Sequence, residues 1–174
     1  MTESPAHRPG NPTRFTGPLL VGVMPGQNRI VVERAAQLAL SAGLPLVCAF
    51  VDVTVYPVDG TTGGPAAPID PDALDGEAQE IPRDLIAAIT SQLAGTNVDW
   101  SMVSLAGEPA RALAHEAGRI NASMIVVGTR GRRLGSAIKE LTAGSVAKHL
   151  FHRQDRPVLV VPVEPRIPDD DDED

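Results

Sequence analysis

Aromatic residues are scarce in this chain: Phe, Trp and Tyr make up 3% of its 174 residues, although 43% of the residues are hydrophobic. The apolar volume therefore comes from Val, Leu, Ile and Ala, the residue types that parallel strands under closely packed helices require. No apolar run reaches the roughly eighteen residues of a membrane span, and Met1–Gly17 lacks the apolar core of a secretory signal. We therefore expect one cytoplasmic α/β domain that does not enter a membrane.

Cysteine is represented by one residue, Cys48, which lies in an apolar run and cannot form an internal disulfide. We expect a small buried core residue in a reducing compartment. The alternative, a reactive thiol, would need a nearby base, and none is suggested by the local sequence.

Negative charge is concentrated in Asp169–Asp174, and removing these six acids from the formal net charge of −7 leaves −1. Such a run repels itself and stays solvated, so we expect 164–174 to be a disordered acidic tail, with a dedicated partner-binding tail as the alternative. A nearly neutral body lacks the basic face that duplex DNA requires. We therefore expect no nucleic-acid partner.

Short apolar runs alternate with helical patterns along the chain. Strands are predicted over Leu19–Val23, Leu46–Val51, Val98–Leu105, Met124–Val127 and Pro157–Val163. Helices are predicted over Arg29–Ala42, from Pro82, from Glu108, and from Gly144 to about Phe151. This order favours a parallel sheet with right-handed crossovers, in a domain over 18–163 preceded by a disordered segment, 1–17. Segment 56–80 is dense in Pro, Gly and Asp and is predicted to be a long irregular loop.

A glycine-rich turn follows the fourth predicted strand, at the edge where ligands collect in open parallel sheets. Gly128 and Gly131 permit positive φ and close backbone approach, and the helix that Gly144 and Ser145 open favours an anion at its first turn. Three arginines add positive charge to the same loop: Arg130, Arg132 and Arg133. The pattern predicts a phosphate cradle; the alternative is ordinary turn glycines with solvated arginines.

Motifs for catalysis are missing. The sequence has neither G-x-x-x-x-G-K-[ST] nor G-x-G-x-x-G after the first strand, so Walker-type hydrolysis and Rossmann dinucleotide chemistry are unsupported. His149 and His152 are three residues apart but have no third ligand nearby in the sequence. Ser145 has no oriented base. We therefore predict no catalytic residue and no metal site.

The sequence resembles the universal stress proteins over nearly the whole domain. The resemblance is carried by Val21–Val23, Gly107–Ala110, Ile125–Gly131, Gly144–Ala147 and Arg156–Pro162. It implies an adenine nucleotide alpha hydrolase-like fold: a five-stranded parallel sheet in the order 3-2-1-4-5 with helices on both faces. It also implies a non-catalytic stress-response protein that forms homodimers through its last strand, Val158–Val163.

The same resemblance implies that ATP or AMP binds at the glycine-rich loops. The residues that it places around the nucleotide are Met24, Val51, Gly128, Thr129, Arg130, Gly131, Gly144, Ser145 and Val146. Two departures from the pattern of ATP-binding members stand out. Twelve residues separate Gly131 from Gly144 instead of nine, and Met24 replaces an acid whose oxygens would accept hydrogen bonds from ribose or adenine.

These departures leave other functions open. Gln27 could reach the hollow with an amide oxygen in place of the missing acid. A dimeric interaction module with a vestigial pocket, contacting other proteins through its tail or long loop, is the alternative to nucleotide binding. A slow ATPase is a third reading, for which neither a general base nor a metal-binding carboxylate is visible.

Overall fold

The computed structural model describes residues 15–57, 66–68, 80–129 and 143–163. The strands are β1 (Leu19–Val23), β2 (Leu46–Asp52), β3 (Val55–Pro57), β4 (Ala66–Pro68), β5 (Trp100–Ala106), β6 (Met124–Gly128) and β7 (Val158–Val161). The helices are α1 (Ile30–Ala42), α2 (Arg83–Leu93), α3 (Pro109–Arg119) and α4 (Ala143–Phe151). Within these ranges no helix is long and apolar enough to cross a membrane.

Five strands form one parallel sheet in the order β5-β2-β1-β6-β7. Counted along the chain within this sheet, the order is 3-2-1-4-5, which confirms the predicted architecture. Strands β1 and β6 are neighbours although they are distant in sequence, with Leu19 opposite Met124 and Val21 opposite Val126. The connections diverge from this pair, since β1 continues towards β2 and β6 continues towards β7.

Two helical layers cover the sheet and bury two separate cores. The first layer consists of α1 and α2, whose buried residues include Val31, Ala35, Leu85 and Ile89. The second layer consists of α3 and α4, whose buried residues include Ala110, Leu113, Ala117, Ala147 and Leu150. Small alanines let the second layer lie close to the strands, as the composition predicts.

Two helix ends follow sequence signals. Helix α1 stops before Gly43, which takes a left-handed conformation with φ 66°, so the predicted end of this helix at Ala42 is confirmed. Helix α3 has Pro109 in its first turn and begins after Glu108, whose carboxylate accepts hydrogen bonds from the N–H groups of Ala110 (3.0 Å) and Arg111 (2.9 Å). A carboxylate in this position neutralises the positive end of the helix.

The structure departs from the predictions mainly near element ends. Tyr56–Pro57 and Ala66–Pro68, predicted as irregular, belong to a small antiparallel ladder in which β3 pairs with β4. The third strand of the sheet runs over Trp100–Ala106 instead of Val98–Leu105, and β7 ends at Val161 instead of Val163. Propensity patterns locate element ends poorly, because hydrogen bonding to neighbouring strands decides them.

Gly17, one residue before the predicted start of the domain, makes contacts with it. Gly17 packs so tightly on the chain that a Cβ there would lie 1.8 Å from the carbonyl oxygen of Asn121. Its own carbonyl accepts a hydrogen bond of 2.7 Å from the hydroxyl of Ser123. The remainder of the predicted N-terminal segment, most of loop 56–80 and the predicted acidic tail lie outside the described residues.

Candidate functional site

The carboxyl ends of β1 and β6 form the switch point of the sheet, where chain connections leave in opposite directions and where α/β proteins bind ligands. The turn that follows β1 is closed by a hydrogen bond within its own backbone. Gly26 has a positive φ of 71°, and the N–H of Gln27 donates to the carbonyl of Met24 over 3.2 Å. A tight turn therefore leads from β1 into α1 beside the end of β6.

The side-chain amide of Gln27 is used within this turn. Its oxygen accepts from the N–H of Met24 (3.2 Å), and its nitrogen donates to the carbonyl of Gly22 (3.3 Å). The Gln27 oxygen thus already accepts one hydrogen bond within the turn, and its suggested role as an acceptor for a ligand stays a prediction. The Met24 side chain itself is 38% exposed and offers an apolar thioether at the edge.

Gly128 ends β6 opposite the first turn of α1. It does not take a positive φ, so of the two properties that glycine permits here the structure uses the close backbone approach. A Cβ at this position would lie 2.7 Å from Cγ2 of Val31 and 3.4 Å from Nε2 of Gln27. Glycine is required here for a close approach of helix and strand.

Thr129 joins β6 to the segment that follows β7. Its N–H donates to the carbonyl of Val161 (2.9 Å), and its hydroxyl oxygen accepts from the N–H of Val163 (3.0 Å). The amide nitrogen of Asn28 donates to the carbonyl of Val163 (3.2 Å), while its oxygen accepts from the N–H of Ile30 at the start of α1. The hydroxyl of Thr129, expected near a nucleotide, thus holds the chain after β7.

Other predicted site residues occupy the same edge or lie outside the described ranges. Val51 follows Phe50, the partner of Val23, so the register brings Val51 and Met24 to the ends of adjacent strands. Gly144 and Ser145 lie in the first turn of α4, and Val146 behind them is half-buried against the second core. Arg130 and Gly131 lie outside the described residues.

A cavity of about 90 Å³ lies beside this edge, between the β1–α1 turn and one side of α2. Met24, Asn28, Asp84 and Gln92 contribute polar or polarisable atoms to its lining. The Oε1 atom of Gln92 is buried and has no hydrogen-bond partner among the residues that the structure describes. The cavity is smaller than pockets that enclose a nucleotide-sized ligand, and it could accommodate ordered water. Sequence reasoning gave no signal for Gln92, because α2 lies far from the glycine-rich motif in the chain.

The cysteine, one histidine and possible metal ligands were inspected for groups that could take part in catalysis. Cys48 is fully buried, and burial raises the pKa of its thiol to about 12, so the expected inert core cysteine is confirmed. His149 lies on α4 with its Nδ1 atom 4.0 Å from Oε1 of Glu108. Among the residues that the structure describes, no three His, Cys, Asp or Glu side chains come together as metal ligands would.

Helix α3 carries one buried acid that the sequence did not single out. Glu116 is 2% exposed, and both of its oxygens accept hydrogen bonds of 2.7 Å from Arg119. This pairing raises the pKa of the Arg119 guanidinium. Since Arg119 is three residues further along the same helix, the pair stabilises α3 and lies away from the carboxyl edge.

Comparison with known proteins agrees with this architecture. The profile of the universal stress protein family matches residues 17–162. The chain belongs to the universal stress protein family. A stretch of 79 residues is 35% identical to the stress response protein NhaX of Bacillus subtilis (strain 168) and covers 45% of this chain and 46% of NhaX. The chain thus matches less than half the length of that relative.

Solved structures show the same fold. A universal stress protein in complex with cAMP is 20% identical, with a TM-score of 0.56 over 86% of this chain and 99% of its own. The universal stress protein of Archaeoglobus fulgidus in complex with dAMP is 18% identical, with a TM-score of 0.53 over 84% and 98%. At these identities the likeness concerns the fold.

Proposed function

We propose that this universal stress protein binds an adenine nucleotide, ATP or AMP, at the carboxyl edge between β1 and β6, and that it acts as a non-catalytic stress-response protein in the cytoplasm. The observation that carries the proposal is the position of β1 between β2 and β6, which brings Met24, Val51 and Gly128 to one edge of the sheet. Universal stress proteins with this fold have been solved in complex with cAMP and with dAMP, which are both adenine nucleotides.

The arrangement favours binding over chemistry. Glycine at 128 brings the start of α1 against the end of β6, and α4 is the next described helix of the chain after that strand. The N-terminus of a helix favours a phosphate group, so both helix starts are candidates for binding one. The carboxylate of Glu108 at this edge is engaged by the N–H groups of Ala110 and Arg111. Binding alone is the function that these residues support.

Titration calorimetry with ATP and AMP tests the proposal. We expect dissociation constants below about 100 μM and their loss in Gly144→Glu, which places a carboxylate in the first turn of α4. Gly118→Glu makes the same change at an exposed position of α3 where a Cβ meets nothing, and it should bind as the parent does. Equal binding by both variants would contradict the site.

Met24 gives a second, constructive test. Met24→Asp restores a carboxylate at the end of β1, and one charge-assisted hydrogen bond of about 1.5–3 kcal/mol should tighten ATP binding roughly ten- to a hundredfold. Met24→Leu keeps the position apolar and should leave affinity unchanged. No gain in Met24→Asp would mean that the ligand does not reach this strand end.

A second candidate is an interaction module whose pocket no longer binds nucleotide. It is favoured by the exposed thioether of Met24 and by the internal hydrogen bond that the Gln27 oxygen already accepts. The candidate requires that no adenine nucleotide give heat with protein whose native fold is verified by circular dichroism. Measurable ATP binding by the parent chain rejects it.

We also propose a homodimer formed through β7. This strand ends the order of the sheet and pairs with β6, and Leu159 on it is 36% exposed. An apolar edge strand favours pairing with a second copy. Sedimentation equilibrium should show dimers at micromolar concentration and monomers for Leu159→Lys. Leu40→Lys, at a 44% exposed leucine of α1, is the matched control and should remain dimeric.

A further inference from the structure

The cavity beside the carboxyl edge offers hydrogen-bond acceptors from α2. The Oε1 atom of Gln92 is buried and has no hydrogen-bond partner among the described residues. Asp84, about two turns earlier in the same helix, adds an exposed carboxylate to the lining. The side-chain nitrogens of Gln27 and Asn28, which also line the cavity, already donate to backbone carbonyls. A ligand group that donates a hydrogen bond therefore suits these acceptor atoms.

The rest of the lining is largely apolar and carries no positive charge. Leu85 and Ile89 of α2 are buried, as is Val32 of α1, and the exposed thioether of Met24 lies beside them. Lys, Arg and His are missing from the described residues that line the cavity. With a volume of about 90 Å³, the cavity cannot enclose a whole nucleotide. It suits one edge of a flat, uncharged ring and does not suit a phosphate group.

Two residues connect this cavity to the candidate nucleotide site. Met24 lies at the end of β1 and lines the cavity. Gln27 also lines it, and its Nε2 atom would lie 3.4 Å from a Cβ at Gly128, the last residue of β6. A nucleotide at the carboxyl edge can therefore extend along the β1–α1 turn with its base towards α2. The base is the part that fits, because the 6-amino group of adenine is a hydrogen-bond donor.

We propose that the Oε1 atom of Gln92 accepts a hydrogen bond from the 6-amino group of adenine and makes the site selective for adenine over bases with an oxo group in that place. The inference rests on the proposed function and deepens it by naming a residue that selects the base. Met24 offers no acceptor oxygen at the end of β1, and Gln92 supplies one from α2 instead. An oxo group would bring a second acceptor against the buried oxygen and leave both without a donor.

Calorimetry with ATP and inosine triphosphate tests this selectivity. Inosine triphosphate has an oxo group where ATP has the amino group. The parent should bind ATP about three- to tenfold more tightly than inosine triphosphate, as expected for one neutral hydrogen bond. Gln92→Met keeps the length of the side chain without its oxygen and should bind both nucleotides equally. Equal affinities in the parent, or an unchanged preference in Gln92→Met, would overturn the proposal.

Two further variants separate the hydrogen bond from a general effect of substitution. Gln92→Glu keeps acceptor oxygens at the same position and should retain the preference for ATP. Gln37→Met makes the same change as Gln92→Met at an exposed position of α1, where the Gln37 oxygen accepts from Arg34 (2.8 Å), and should also retain it. Circular dichroism verifies that each variant is folded. Loss of the preference in Gln37→Met would show that the effect does not depend on the cavity.

The ribose hydroxyls are the other donors of the nucleoside, and a deoxynucleotide distinguishes them from the base. Deoxyadenosine triphosphate lacks the 2′-hydroxyl but keeps the amino group, so Gln92→Met should weaken its binding as much as it weakens ATP binding. If Gln92→Met weakens ATP binding and leaves binding of deoxyadenosine triphosphate unchanged, the oxygen contacts the ribose and the assignment to the base is wrong.

Methyl NMR with adenosine and inosine keeps this inference distinguishable from nucleotide binding itself. Adenosine should shift the methyl signals of Leu85 and Ile89 more than inosine does, and should leave those of Leu113 in the second core unchanged. These shifts without calorimetric ATP binding would reject the proposed function and support the base contact. ATP binding that is lost in Gly144→Glu, without these shifts, would support the nucleotide site and reject the contact with Gln92.

Discussion

Gly22 and Gly128 lie near the carboxyl ends of adjacent strands and face opposite helical layers. In β1, a Cβ on Gly22 would lie 3.2 Å from Cδ1 of Leu113 on α3. In β6, a Cβ on Gly128 would lie 2.7 Å from Cγ2 of Val31 on α1. Each glycine thus permits one layer to approach the sheet, although only Gly128 belongs to a motif associated with phosphate.

The side chains that a new Cβ would meet at Gly22 and at Gly128 differ in how easily they can move aside. The methyl group that a Cβ at Gly22 would meet is the far end of a leucine side chain, which can adopt other rotamers. The methyl group that a Cβ at Gly128 would meet belongs to Val31, a fully buried helical valine whose χ1 angle is restricted. The comparison teaches that Gly128 is required by packing whether or not a ligand binds, and that its environment is the less tolerant of the two.

Gly128→Ala should have the largest effect on stability. We expect the free energy of unfolding to fall by about 1–3 kcal/mol, because the added methyl group overpacks a rigid contact. Urea denaturation followed by circular dichroism measures the change. Gly118→Ala in α3, where a Cβ meets nothing, is the control and should stabilise by about 0.5–1 kcal/mol. An unchanged unfolding free energy in Gly128→Ala would remove the contrast between the glycines.

Thr129→Val separates hydrogen bonding from packing at the end of β6. The substitution keeps the side-chain shape but removes the oxygen that accepts from Val163, and we expect a loss of about 0.5–1.5 kcal/mol. Thr90→Val, at an exposed position of α2, should change stability very little. If the two variants are equally stable, the hydrogen bond from the N–H of Val163 to the Thr129 hydroxyl contributes nothing measurable to stability.

Gly22→Ala should have a smaller effect than either change in β6, below about 1 kcal/mol, since Leu113 can adjust. The same urea titration provides the value. A loss greater than that of Gly128→Ala would reverse the comparison and indicate that the second layer is the rigid one.

Cys48 lies in the core that α1 and α2 cover, so its reactivity reports on that layer, and we expect almost no reaction in the native protein. Native protein should not react with a thiol reagent at neutral pH, because the thiol is buried and its pKa is raised to about 12. Gly128→Ala should accelerate labelling by loosening α1, whereas Gly22→Ala should not. Rapid labelling of the parent would contradict a closed first core.

The same thiol predicts how stability varies with pH. Folding raises its pKa from 9.0, so the native state is favoured while the thiol is protonated. Its contribution is complete below about pH 9 and is lost as the pH rises from about 9 towards 12. The parent should therefore lose more stability than Cys48→Ala over this range in urea titrations; parallel loss in both would contradict the assignment.

The sheet and its order were predictable because each central strand is a continuous apolar run between clear breaks. Gly43 ended α1 as expected, and Met124–Val127 led into Gly128. The β3–β4 ladder could not be predicted in this way. Its strands contain proline and alanine without alternation, and the pairing between Tyr56 and Ala67 is a non-local contact that local propensity does not encode.

The candidate site was predictable in position and less so in detail. The sequence singled out Gly128, but a glycine permits both a positive φ and a close backbone approach, and the sequence does not say which of the two is needed. The close contact with Val31 depends on how α1 packs on the sheet. The two hydrogen bonds that the Gln27 amide makes within the turn could not be predicted, because they depend on how the turn closes. The orphan oxygen of Gln92 depends on tertiary packing alone.

The carboxylate of Glu108 has a consequence for where an anion can settle. Helix α3 begins at the same edge of the sheet as α1, yet its first N–H groups already carry a permanent, covalently attached anion. The amide oxygen of Asn28 engages one N–H group of α1 in a similar, uncharged way. The protein thus neutralises some of its positive helix ends with its own side chains, and the N-terminus of α3 is a less favourable place for a second anion than a helix end without such a carboxylate.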